Sequence, residues 1–290
     1  MDAKGTDNGG LARGAATLVA SALSTQLGAA SGSLAFPGMG PIGVVAVRQY
    51  IAAAVLLPLV RPRLRALTRR QWWPVLLLAL VFGTMNLGLY AAIERIGLGL
   101  AVTLEFLGPL SVALLSARTA FNACCAVVAG AGVVAIARPE ASTDYAGIGL
   151  ALAAAASWAA YIVLNKTVGA RIPGIEGTAT ATGISAMLFL PVGAFLFLVR
   201  PPDGFTVLCA IGAGVLASAV PYVADLTALR RVPANVFGIL MSINPVFAAL
   251  IGVLALQESL GAAEWTGIAL IVTANVLALV LRDRAEGGKP

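Results

Sequence analysis

The chain has 290 residues, 59% of them hydrophobic and 11% charged, with 19 Lys and Arg against 13 Asp and Glu. Its mean hydropathy of +0.93 excludes an ordinary soluble domain. The absence of histidine argues against a transition-metal site.

A transmembrane helix takes ~20 mainly apolar residues. Ten such segments are predicted, at 14–34, 42–60, 73–92, 97–116, 120–137, 146–165, 177–199, 205–228, 233–255 and 263–281. The runs are continuous rather than alternating, which excludes a barrel and leaves helices as the spanning structure. The expected fold is therefore an all-α membrane protein with short tails at 1–13 and 283–290.

The first segment follows Lys4 and Arg13 and contains Gly28-Ala29-Ala30, so it superficially resembles a signal peptide. It is expected to be retained, because it completes an internal duplication described below. The second segment carries Arg48, and the third carries Asn86 and Tyr90 on one face.

Glu105 is the only charge in the fourth segment, within GLAVTLEFLGPLSVALL (99–115). A carboxylate in such a run is costly and marks a functional candidate. Counting helix rise from the outer side, Arg48 and Glu105 both lie roughly 10–12 Å deep. They can pair with each other to hold two helices together, or a zwitterionic substrate or a proton can compete for one of them. Pro109 has no N–H, so it frees the carbonyl of Glu105. Gly108-Pro109 thus marks either a kink relieved by neighbouring helices or a break that lines a wet cavity.

Cys124 and Cys125 in the fifth segment and Cys209 in the eighth carry no redox signal. Trp158, Tyr161 and Asn165 form a polar face on the sixth segment, and Ser218, Tyr222 and Asp225 form another on the eighth, beside Pro221. Such faces are helix seams or cavity walls. The ninth segment contains Asn244-Pro245, where Pro245 frees the carbonyl of Met241.

Basic residues set the orientation. With the N-terminus inside, fifteen Lys and Arg lie in inner loops and tails, and only Arg95, Arg138 and Arg200 lie outside. Both termini are expected in the cytoplasm, and the net charge of +6 then reflects contact with anionic lipid rather than nucleic acid. Trp72, Trp73 and Trp265 sit near span ends as interfacial anchors.

Residues 93–113 align with 229–249 at a constant offset of 136, which places Arg95 on Arg231 and Pro109 on Pro245. Each half, 14–137 and 146–282, then holds five spans, an odd number, so the second half is expected to be inverted relative to the first. That is transporter architecture. An enzyme would need a nucleophile with an activating base or a metal cluster, and neither is evident.

GLAVTLEFLGPLSVALL, MNLGLY (85–90), SWAAYIV (157–163) and VPYVADLTALRRVPANVFGILMSINPVFAALIGVLALQESL (220–260) resemble EamA-type members of the drug/metabolite transporter superfamily. The nearest likeness is to the threonine/homoserine exporter branch. The resemblance implies ten helices in two inverted repeats in the inner membrane, and export of small metabolites in exchange for protons. Asp225 stands where that branch tends to have glutamate, and Asn244 where an acid is typical; Gln257-Glu258-Ser259 matches an acidic motif read as structural.

The expected substrate is a small neutral amino acid. Arg48, Asn86, Tyr90, Glu105, Trp158, Tyr161, Tyr222 and Asn244 are the binding candidates, Glu105 and Asp225 the proton-coupling candidates, and Pro109 and Pro245 the helix breaks. No cofactor is expected, and the partners are substrate, protons and membrane lipid. The alternative is a broader metabolite or cationic drug exporter of the same superfamily, for which Arg48 would be a hindrance.

Overall fold

The structure is a computed structural model that describes residues 5–64, 67–116, 120–136, 144–172, 175–199, 201–221, 224 and 241–287. Among these residues there is no strand. The helices are α1 (Gly5–Leu34), α2 (Phe36–Val60), α3 (Arg69–Ile96), α4 (Leu98–Glu105), α5 (Leu107–Ser116), α6 (Ala120–Ile136), α7 (Tyr145–Gly169), α8 (Glu176–Val199), α9 (Gly204–Gly214), α10 (Asn244–Ala255) and α11 (Ala262–Gly287), with a π-helical segment at Val215–Ala219. Of these, α2, α3, α7 and α8 are each long and apolar enough to cross a membrane unbroken. Tyr222, Asp225 and the first part of the ninth predicted span lie outside the described residues.

Local chemistry sets the ends. Thr68 and Gln71 form a reciprocal capping box at the start of α3. Gly97 ends α3 with φ +81°, a conformation that suits glycine. Asp144 accepts from the Gly147 N–H at 2.8 Å to cap α7, and Asp203 accepts from the Thr206 N–H at 2.7 Å to cap α9. α2 begins earlier than the apolar pattern indicates, running through a kink at Gly40, whose φ is +64°.

Three predicted spans are not uninterrupted α-helices. The fourth divides at Phe106 into α4 and α5, three residues before Pro109, as the loss of a proline N–H requires. The eighth passes from α9 into the π segment before Pro221. In the ninth, Met241 is helical, turn residues follow, and α10 starts at Asn244.

The bundle packs α3 on α7, α2 on α8, α6 on α11, α4 on α10 and α1 on α9 and the π segment. Small residues let backbones meet. A Cβ at Gly28 would meet the Ala217 backbone N, and one at Gly108 would meet the Ala155 carbonyl oxygen. The core gathers around Tyr90, Leu98, Leu104 and Ile271, all fully buried.

Candidate substrate cavity

The interrupted helices meet around a cavity of about 210 Å³. Glu105 enters it from the last residue of α4, Arg48 from α2, Asn86 and Tyr90 from α3, Trp158 from α7, and Asn244 from the start of α10. Six of the eight binding candidates therefore share one wall-to-wall space.

Tyr161 does not line it. Its ring packs 5.4 Å from Phe82, and its hydroxyl accepts from Asn165 Nδ2, while Asn165 Oδ1 accepts from Thr178. Tyr161 and Asn165 therefore belong to a polar seam joining α7 to α8. Trp158 instead meets Phe106 edge-on at 4.7 Å, above the close approach that Gly108 allows.

The breaks at Pro245 and Pro221 leave carbonyls without their usual donors, and side chains supply replacements. Pro245 frees the Met241 carbonyl, which accepts from Asn244 Nδ2 at 2.8 Å. Asn244 Oδ1 accepts from Gln26 Nε2 of α1, also at 2.8 Å. Pro221 has no N–H for the Ala217 carbonyl in α register or for Leu216 in π register. Arg48 Nη2 donates to the Ala217 carbonyl at 3.0 Å, and the Ser24 hydroxyl to that of Leu216 at 2.8 Å.

Arg48 and Glu105 do not pair; among the described residues the ion pair is Arg95–Asp144. The Arg48 guanidinium instead lies 4.9 Å above the Tyr90 ring and reaches the Ser218 hydroxyl at 3.4 Å. Glu105 is 5% exposed, and none of the described residues gives its carboxylate a hydrogen bond. Among the described residues, Gln26 Oε1, Arg48 Nε and Tyr90 Oη are buried with no partner within hydrogen-bonding geometry. Such groups are rare in a finished core and mark a place completed by something else.

Gln26 is a cavity residue outside the sequence-based candidates. Its signal is present in the polar run Ser21, Ser24, Thr25 and Gln26 of an otherwise apolar helix. Glu258 also has a concrete role: its carboxylate accepts from the N–H groups of Leu98 at 2.6 Å and Gly99 at 3.4 Å, capping α4 from the loop after α10. Gly97 and Gly252 leave the room its carboxylate occupies. Thus a loop of the second half holds the start of the helix that ends in Glu105.

Residues 145–280 match the EamA-like transporter family. The threonine/homoserine exporter RhtA of Salmonella typhimurium is 34% identical over 260 residues, covering 87% of this chain and 86% of that one. The exporter of the same name from Escherichia coli K12 is 32% identical over 262 residues, covering 89% and 88%. A crystal structure 20% identical in sequence superimposes with a TM-score of 0.60 over 93% of this chain and 99% of the other, a likeness of fold alone. These relatives and the apolar helices make this a multi-pass inner-membrane transporter rather than an enzyme. With the family match on the second half and the exporters matched across both, the chain belongs to the EamA-like transporter family.

Proposed function

We propose that the protein exports small neutral amino acids of the threonine or homoserine kind, in exchange for protons, by alternating access. The observation that carries the reading is one cavity holding an arginine and a carboxylate that do not neutralise each other. A zwitterion needs a cation for its carboxylate and an anion for its ammonium, and Arg48 with Glu105 offers both. Anchored by the Ala217 carbonyl, Arg48 has an Nε with no partner among the described residues, placed to meet a substrate oxygen. Glu105 holds either the substrate ammonium or a proton, so loading one expels the other. Asp225 is the second proton-coupling candidate, and Tyr222 an additional cavity residue.

Two inverted five-helix repeats fit the packing. At an offset of five spans, α2–α8, α4–α10 and α6–α11 each pair a helix with its own counterpart, and α1–α9 mirrors α3–α7. A twofold axis in the membrane plane produces that pattern. The distribution of basic residues favours both termini in the cytoplasm. The halves then rock about the cavity where the broken helices meet.

The test is reconstitution in vesicles with a panel of labelled amino acids and organic cations under an imposed pH gradient. Saturable, gradient-driven movement of threonine or homoserine is expected. Transport of cations alone would replace this reading with that of a cationic drug exporter.

A further inference from the structure

A second recess, of about 570 Å³, opens where the start of α3 meets the turn after α7. Thr68, Arg70, Gln71, Trp73 and Arg171 line it. Its wall is fastened across the two halves of the chain: Arg171 Nη1 donates to the Arg70 carbonyl at 2.8 Å, and Gln71 Nε2 donates to the Arg171 carbonyl at 2.7 Å. The Arg171 guanidinium lies 5.0 Å over the Trp73 ring.

Two arginines therefore line one recess, none of its described lining residues is acidic, and neither arginine forms an ion pair among the described residues. A phosphate in the recess would offer charge to both arginines and take paired hydrogen bonds from planar guanidinium forks. Trp73, Leu76, Leu77 and Leu80 continue from the recess at i, i+3, i+4 and i+7, one face of α3, and each is roughly half exposed. An interfacial tryptophan followed by an outward apolar stripe is a path for acyl chains.

We propose that this recess binds the headgroup of an anionic phospholipid, with its acyl chains lying along the α3 stripe. The bound lipid bridges α3 to the α7–α8 turn and so stabilises the arrangement of the two halves seen here. This site is separate from the substrate cavity, and its occupancy does not depend on which substrate is carried.

Native mass spectrometry of the delipidated protein, titrated with phosphatidylglycerol or phosphatidylcholine in neutral detergent, tests it. Phosphatidylglycerol is expected to bind in preference, with Arg70→Gln and Arg171→Gln each lowering the preference roughly fivefold. Arg70 joins the Arg171 fastening through its backbone carbonyl, which Arg70→Gln keeps, so Arg70→Gln reads the site even if Arg171→Gln loosens the turn. Equal binding of the two lipids, or an unchanged preference in Arg70→Gln, overturns the proposal. Displacement of the lipid by millimolar inorganic phosphate also overturns it, by making a soluble anion the ligand.

Discussion

Replacing Asn244 by leucine keeps the side chain's size and removes both ends of the link between α1 and the broken ninth span. Gln26 Nε2 loses the acceptor it reaches at 2.8 Å, and the Met241 carbonyl loses the only donor found for it among the described residues. Asn244 and Gln26 are 7% and 3% exposed, so water does not readily substitute. A buried polar group left unpaired costs about 1–3 kcal/mol, and two are created here. Interhelical bonds in membranes average nearer ~0.6 kcal/mol, because the unfolded chain in the bilayer also finds partners. Between these two scales we expect a loss of about 2 kcal/mol, or roughly 4–8 °C in thermal midpoint. The assay is a double-mutant cycle in detergent with Gln26→Leu, Asn244→Leu and the pair. Because the two side chains bond each other, the double mutant should lose clearly less than the sum of the singles. Strict additivity, to within about 0.5 kcal/mol, would refute the argument that Gln26 and Asn244 act as one unit.

Gly108→Ala places a methyl against the Ala155 carbonyl oxygen and 3.2 Å from Trp158 Cβ, so α5 must move off α7; a cost of about 1–3 kcal/mol and lost transport are expected, measured by thermal unfolding and vesicle efflux. Pro221→Ala restores an N–H that competes for the carbonyls of Ala217 and Leu216; with Arg48 released from its anchor, substrate KM should rise while the protein becomes no less stable. The Asp144 carboxyl is held below the usual range, first by the Gly147 N–H and then by Arg95. Its stabilisation is therefore present above the unfolded carboxyl value of about 3.9 and lost as pH falls through the lower folded value. Asp144→Asn should lower the thermal midpoint at pH 7, with the gap to the parent closing in strong acid and narrowing in high salt, since the Arg95 pair is exposed.

Much of the cavity could be read from the chain because its physics is local. A proline removes one donor at a known distance, so Pro109 and Pro245 locate their freed carbonyls, and the break at Phe106 falls beside Glu105 as that rule requires. The same rule applied to Pro221 identifies the carbonyl that anchors Arg48. What the chain could not show is which neighbour each helix face meets. Trp158 and Tyr161 are three residues apart, yet one faces the cavity and the other the α8 seam. Gln26 was hidden for a related reason: nothing in α1 alone shows that Asn244 of α10 lies opposite it. The Arg48–Glu105 pairing that depth alone permitted does not form, because Arg48 is drawn to the Ala217 carbonyl and the Tyr90 ring.

In the proposed mechanism Glu105 alternates between proton and substrate. Glu105→Gln keeps the side chain's shape but cannot carry a proton, so it separates coupling from folding when its thermal midpoint is checked alongside. In vesicles under an imposed pH gradient, gradient-driven threonine or homoserine efflux through Glu105→Gln is expected to fall to background. Undiminished pH-driven efflux would contradict it and exclude Glu105 as the coupling group.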